Sequence, residues 1–186
     1  LDALSRIIVS LLVFILVEAI YFFAVTKVNG DTFKEKFSEK FKKYSVNNLT
    51  APAVSGLIYA MLLPDQLHMY VVIMGALFGA FVGKMIFGGL GFNLFNPAAL
   101  GRVFIAVAFT SFFQGSYTQV DAAAGATALS TQFPGVLNSY SIIDMLVGNI
   151  PGAMGEINSL AILIGMAYLL IRRSADFRPI VSATLI

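Results

Sequence analysis

Long apolar runs separated by short polar segments constrain this chain more than any other feature of its sequence. A helix that crosses a bilayer needs about 20 mostly apolar residues, and residues 4–25 form such a run with Glu18 as its one acidic interruption. Of the 186 residues, 58% are hydrophobic and 12% are charged, whereas a soluble domain is about half apolar and about a quarter charged. The sequence therefore predicts an all-α, polytopic membrane protein.

Charge and cysteine content exclude several classes of function. The net charge of +2 is too small to suggest nucleic acid as a partner. The chain has no cysteine, so it cannot supply thiolate ligands to an iron–sulfur cluster. Its single histidine, His68, cannot form a histidine-rich metal site. We expect no metal centre, and any redox chemistry must come from an organic cofactor.

The remaining apolar segments differ in length, and this difference predicts two kinds of membrane helix. Full spans are predicted at 66–87, 98–113 and 157–171, and 180–186 is the start of another. Segments 50–64 and 141–151 are too short to span, so we expect them to be re-entrant half-helices. Each half-helix is followed by a full span, a pattern typical of an internal repeat.

Lysine and arginine residues predict the orientation. Residues 27–43 hold six lysines, and no lysine or arginine occurs between Val103 and Ile171. Short loops rich in these residues stay cytoplasmic. The segment 26–49 is therefore predicted to be a cytoplasmic, lysine-rich loop, and 114–140 an extracytoplasmic loop. Because the chain begins and ends close to apolar runs, we expect residues 1–186 to be one partial membrane domain, the first half of a longer chain.

The block FGGLGFNLFNPAALGR, residues 87–102, joins two predicted spans and is rich in glycine and asparagine. It is consistent with a tight turn between helices, or with backbone packed against a cofactor. Arg102 could contact a phosphate or extend to the cytoplasmic interface. A second block, GNIPG at 148–152, has a similar composition. The candidate flavin or packing contacts in these blocks are Gly88, Gly89, Gly91, Asn93, Asn96, Arg102 and Asn149.

Two carboxylates are candidate ion sites. Glu18 lies in the middle of a predicted span, where a bare charge is costly and an acidic residue suggests proton or Na⁺ handling. Its alternative is a carboxyl group that is neutral or hydrogen-bonded between helices. Glu156 lies at the mouth of a later span, where it is either functional or a solvated charge favoured by the helix dipole.

Three blocks in the order FGGLGFNLFNPAALGRVF, VDAAAGATALS and DMLVGNIPGAMGEINSLAILIG resemble one family over nearly the whole chain. It contains RnfD, a membrane component of the Rnf electron-transport complex, and NqrB, its relative in the Na⁺-translocating NADH:quinone reductase. The resemblance implies a bacterial inner-membrane subunit with a fold similar to that of urea transporters.

The family's hallmark implies a covalent cofactor. A threonine at the end of a Ser/Thr-Gly-Ala-Thr motif carries FMN through a phosphoester, and a flavin transferase attaches it outside the cytoplasm. The matching residue is Thr127, after Gly125 and Ala126, and the family's aspartate before the motif matches Asp121. Ala124 departs from the motif, which removes one hydroxyl but leaves the acceptor. The family also holds riboflavin or a second flavin, for which the sequence offers no independent residue.

From the resemblance we predict a subunit that relays electrons through FMN on Thr127. The complex would be a Rnf-type ferredoxin:NAD⁺ oxidoreductase that exports Na⁺ or H⁺. The alternative is the NqrB component of the quinone reductase. The predicted partners are the other subunits, the flavin transferase and membrane lipid. A channel of the urea-transporter type, without flavin, is the rival from another class.

Overall fold

A computed structural model describes residues 2–28, 33–64, 66–89, 91–114, 141–149, 152–174 and 176–184. The chain divides into two compact units, Leu1–Thr118 and Gln119–Ile186. The described residues form helices and turns without a strand, which confirms the predicted all-α class for this part of the chain.

The first unit is a helical bundle. Its helices are α1 (Asp2–Val25), α2 (Phe33–Lys43), α3 (Asn47–Met61), α4 (Met69–Ala80), α5 (Pro97–Ala108) and α6 (Thr110–Gln114). Helices α1 and α4 run in the same direction, since Arg6 contacts Leu67 near their N-terminal ends and Glu18 contacts Lys84 near their C-terminal ends. Helix α3 occupies the segment predicted as the first half-helix, and α4 and α5 lie in the next two predicted spans. The segment predicted as a lysine-rich loop contains α2.

Close packing of α1 on α3 depends on a missing side chain. A Cβ atom on Gly56 of α3 would lie 3.0 Å from both the Leu11 Cα and the Ser10 carbonyl oxygen of α1. Glycine therefore lets the two backbones approach.

Helices α4 and α5 meet in the same way. A Cβ on Gly79 would lie 2.4 Å from the Pro97 carbonyl oxygen, and one on Gly101 would lie 2.6 Å from the Gly75 carbonyl oxygen. Glycines at these positions let the helices approach closely, because side chains there would separate them.

Helix α4 continues into a π-helical segment at Phe81–Met85. The Ile86 amide donates to the Phe81 carbonyl at 3.1 Å, and the Gly89 amide donates to the Lys84 carbonyl at 3.1 Å. The first bond reaches back five residues instead of four and widens the π-helical turn, whereas the second, with the Gly88 amide donating to the Met85 carbonyl at 3.1 Å, caps the end of the helix. Such π-helical segments are rare and occur frequently at functional sites.

The second unit contains α7 (Ile142–Val147), α8 (Ser159–Ile171) and α9 (Phe177–Thr184). Ser141 and Asp144 form a capping box at the start of α7, which ends at Gly148 with φ of 97°. The Asn158 side chain caps α8 by accepting from the Ala161 amide at 2.9 Å, and its Nδ2 donates to the Val147 carbonyl at 2.9 Å. One amide group thus joins the two helices.

Helix α1 buries polar groups beside Phe14 and exposes a stripe of apolar residues. Ser10 and Glu18 are buried, and the Nε of half-buried Arg6 donates to the Leu67 carbonyl at 2.7 Å. The residues on the opposite side are 48 to 68% exposed: Leu4, Ile8, Leu12, Leu16 and Ile20. Water would disfavour such an exposed stripe, whereas lipid tails would cover it.

Among the described residues, one helix, Ala3–Val25, is long and apolar enough to cross a membrane, with a mean hydropathy of 2.7. The apolar helices Met69–Met85, Pro97–Ala108 and Ser159–Ile171 are shorter. Helix α8 has no buried residue although its composition is strongly apolar. Exposure of apolar surface in both units is typical of helices that lie in lipid.

Candidate functional site

A buried ion pair joins α1 to the π-helical segment. The Lys84 ammonium donates to the Glu18 carboxylate, and the side chains are only 3% and 7% exposed. The sequence places these residues in separate predicted spans and suggests a neutral, hydrogen-bonded or ion-handling role for Glu18. The structure gives Glu18 a cationic partner, which offsets the cost of burying its charge.

A cavity of about 240 Å³ opens beside this pair. It is lined by Glu18 and by neighbouring residues of α1, the start of α3 and the glycine-rich turn, including Tyr21, Asn48 and Gly89. A pocket for a small organic ligand is usually about 300–1,000 Å³, so this space suits water or an ion better than a flavin. Glu18 therefore lies at the wall of a cavity whose lining mixes polar and apolar residues.

Tyr44, between α2 and α3, lies close to the same end of the bundle. Its ring packs against Phe22 and Phe23, with centroids 5.2 and 5.8 Å away. Burial raises the pKa of the Tyr44 hydroxyl above its usual value, and the negative charge of Glu18 raises it further.

The glycines of the first block are required by the turn itself. Gly88, Gly89 and Gly91 have φ values of 114°, 90° and 89°, a conformation that other residues adopt at a cost. Gly88 and Gly89 also line the cavity. These positions are consistent both with a tight turn and with a role beside a site. The backbone conformation alone is a sufficient reason for glycine at each of them.

Asn96 has a structural role at the start of α5. Its side-chain oxygen accepts from the Ala98 amide at 3.0 Å, and Pro97 occupies the first turn. This is a strong helix N-terminus. Asn93 is exposed, and Arg102 is half-buried on α5.

The candidates of the second block lie in local turns. The backbone N–H of Asn149 donates to the Asp144 carbonyl at 2.8 Å, and Asn149 is exposed. Glu156 is also exposed, and its carboxylate accepts from the Ala153 amide at 2.9 Å. Asn149 and Glu156 are each explained by the local turn that they close. For Glu156, this favours the interpretation as a solvated charge.

The predicted FMN site lies outside the described residues. This applies to the whole motif set: Asp121, Ala124, Gly125, Ala126 and Thr127. Sequence reasoning did not predict the pairing of Glu18 with Lys84, whose positions are 66 apart in the sequence. The available signal was a lysine inside an apolar run, which is costly without a partner.

The helical fold and the exposed apolar surface are consistent with a membrane protein. The chain belongs to the NQR2, RnfD, RnfE family, whose model matches residues 1–186. The predicted family is thereby confirmed.

Curated relatives are similar to much of the chain. It is 43% identical to the NqrB component of the Na⁺-translocating NADH-quinone reductase of Chromohalobacter salexigens over 131 residues, 67% of this chain and 32% of the relative. The proteins of the same name from Ectopseudomonas mendocina and Stutzerimonas stutzeri are each 36% identical, over 84% and 88% of this chain and 40% and 41% of their own lengths. The chain thus spans well under half the length of these relatives.

Proposed function

We propose that this chain is part of a membrane subunit of a redox-driven, ion-translocating oxidoreductase. The observation that carries the proposal is the family match over residues 1–186, together with relatives named for Na⁺ translocation. The buried Glu18–Lys84 pair supports it, because charged groups inside membrane helices are typical of ion pathways. The subunit would act in the bacterial inner membrane with the other subunits of its complex.

Electron transfer through this subunit would depend on FMN joined to Thr127 by a phosphoester. The support is the AGAT sequence, Asp121 before it and the family that these motifs belong to. Bound FMN would supply the redox chemistry, and the protein would tether and orient it. A covalent bond suits an extracytoplasmic loop, where a dissociated cofactor would be lost by dilution.

Flavin fluorescence in a denaturing gel tests this attachment. The full-length protein is co-expressed with the flavin transferase and compared with Thr127→Ala and with Thr131→Ala, a matched loop threonine. We expect a fluorescent band in the parent and in Thr131→Ala but not in Thr127→Ala. A dark parent band would contradict the flavoprotein and favour the flavin-free, urea-transporter-like channel.

The departure at Ala124 has its own test. Ala124→Ser restores the hydroxyl at the first position of the motif, three residues before the acceptor Thr127. If that hydroxyl aids the transferase, the fraction of protein carrying FMN rises in the variant.

Riboflavin, which would be bound without a covalent bond, remains extractable by acid from Thr127→Ala if the second flavin is held in this subunit.

The type of complex follows from the electron donor. The names of the reported relatives favour the NqrB component of an NADH:quinone reductase, whereas the GGLG sequence and the short segment before DMLVGN favour the Rnf type. Membranes containing the complex are supplied with NADH and quinone, or with reduced ferredoxin and NAD⁺. Turnover with the first pair assigns the quinone reductase, and turnover with the second assigns the Rnf complex.

We assign coupling of Na⁺ or H⁺ transport to Glu18. A cation that enters the adjoining cavity would compete with Lys84 for the carboxylate, so binding would depend on rearrangement of the pair. Glu18→Gln is expected to reduce ion transport per electron in proteoliposomes. Glu156→Gln is the matched control, because that carboxylate is exposed and closes a local turn; equal loss in both variants would contradict the assignment.

The half-helices and the repeat belong to the same proposal. Helix α3 has 15 residues, or roughly 22 Å, against a hydrocarbon core of roughly 30 Å. Because α5, which lies in a predicted full span, has only 12 residues, the length of α3 does not decide the point, and the re-entrant, urea-transporter-like arrangement depends on a direct test. Labelling of single cysteines placed along α3 from either side of the membrane tests it, because a re-entrant segment is reached from one side only.

A further inference from the structure

Helix α2 has an apolar face and a basic face. Its sequence FKEKFSEKFKK repeats phenylalanine every four residues, which places Phe37 and Phe41 on one side. The two residues are 53% and 65% exposed. Segment 27–43 contains six lysines against three acidic residues, a net charge of +3.

Contacts with the end of α1 hold α2 in place. The Lys40 ammonium donates to the carbonyl of Phe23, one of the last four carbonyls of α1, which have no amide partner within the helix. The Phe37 ring stacks on Phe23 with centroids 5.5 Å apart, and Tyr44 packs on Phe23 as well. The position of α2 is therefore fixed relative to the C-terminal end of α1.

The length of α1 places this junction at the membrane surface. Its 24 residues extend roughly 36 Å, slightly more than the roughly 30 Å hydrocarbon core. A helix fixed to its end lies at the level of the lipid headgroups. The exposed rings of Phe37 and Phe41 then extend the apolar surface of α1 into that region.

A cleft of about 640 Å³ separates α2 from the end of α1. Phe23 and Phe37 are among the residues that line it, and so are Lys27, Lys36 and Lys40. Aromatic rings suit the upper part of an acyl chain, and ammonium groups suit a phosphate. The cleft therefore has the chemistry of a phospholipid with a negatively charged headgroup.

We propose that α2 is an interfacial helix that binds anionic phospholipid headgroups of the adjacent leaflet, the cytoplasmic one by the positive-inside rule. The proposal is independent of the flavin and of the ion carried. It assigns the lysine-rich segment to membrane attachment instead of to a solvated loop.

The first test places a tryptophan on each face of α2, because this chain contributes no native tryptophan. Full-length protein with Phe41→Trp, or with Glu39→Trp on the polar face, is reconstituted with phosphatidylglycerol brominated on its acyl chains. After subtraction of the parent signal, we expect stronger quenching for Phe41→Trp than for Glu39→Trp, because the apolar face of an interfacial helix lies against the acyl chains. Equal quenching on both faces, or none for Phe41→Trp, would overturn the proposal.

The second test removes charge and leaves Lys40 in place. The triple variant Lys34→Gln, Lys36→Gln, Lys43→Gln, in the Phe41→Trp background, should lose preference for brominated phosphatidylglycerol over phosphatidylcholine by about five-fold per lysine. Its unfolding midpoint should match that of the parent, which excludes a folding defect. An unchanged preference would overturn the proposal, and so would displacement of the lipid by inorganic phosphate, which would assign the cleft to a soluble anion.

Discussion

Removing Lys84 is expected to destabilise the protein much more than removing a surface lysine. In Lys84→Met the Glu18 carboxylate stays in a site where it is 7% exposed and loses its cationic partner. Breaking a buried pair in this way costs about 3–5 kcal/mol. Glu18→Gln leaves the ammonium group uncompensated and should cost a similar amount.

The double variant Glu18→Gln, Lys84→Met separates pairing from independent effects. It removes both charges, so its free energy of unfolding should lie within about 1–2 kcal/mol of the parent, because a buried pair replaced by groups of similar volume is often neutral. Equilibrium unfolding of the full-length protein in mixed micelles containing SDS measures all three variants. We expect a coupling energy of at least about 3 kcal/mol from the cycle.

Lys42→Met is the matched control. Its ammonium group is 3.1 Å from Glu39 on the same helix, but these side chains are 71% and 45% exposed. An exposed pair contributes about 0–1 kcal/mol. If the double variant of the buried pair loses as much stability as the two single variants combined, Glu18 and Lys84 act independently and the reasoning is refuted.

Two further predictions concern packing and capping. Gly79→Ala should lower the free energy of unfolding by about 1–3 kcal/mol, because its Cβ would lie 2.4 Å from the Pro97 carbonyl oxygen. Gly165→Ala in α8 is the control: its Cβ would meet nothing within 4 Å, so the variant should be neutral or stabilising in the same unfolding assay. Destabilisation by Gly165→Ala equal to that by Gly79→Ala would contradict the steric argument. Ser141→Ala removes the hydroxyl that accepts from the Ile143 amide at 3.3 Å. The loss of this cap should destabilise α7 by about 1 kcal/mol, which is measured as faster hydrogen exchange in that helix. Unchanged exchange would show that the cap contributes nothing.

Sequence patterns locate the helices better than they locate the site. The run at 4–25 corresponds to α1, which is described from Asp2 to Val25, because a long, mostly apolar run leaves little choice of bounds. The start of α5 is similarly readable, since Asn96 followed by Pro97 is a strong N-terminal signal. Local chemistry determines such features, and local chemistry is visible in the sequence.

The features that the sequence does not predict depend on contacts between distant segments. Lys84 lies near the end of an apolar run, and nothing in its neighbours indicates that it faces Glu18. Helix α2 reads as a loop because its lysines dominate its composition, although its phenylalanines have a helical spacing. The motif around Thr127 lies outside the described residues, so its role stays a prediction.

The five-residue hydrogen bonds around Phe81–Met85 also determine which way the following chain faces. Each residue of a regular α-helix turns the chain by roughly 100°, so one residue more in this wide turn changes the phase of everything after it. With a regular helix in its place, the glycine turn at 88–89 would leave α4 in a different direction, away from the α1 cavity. A single-residue deletion here would therefore redirect the chain, whereas a substitution that keeps the length would preserve its phase.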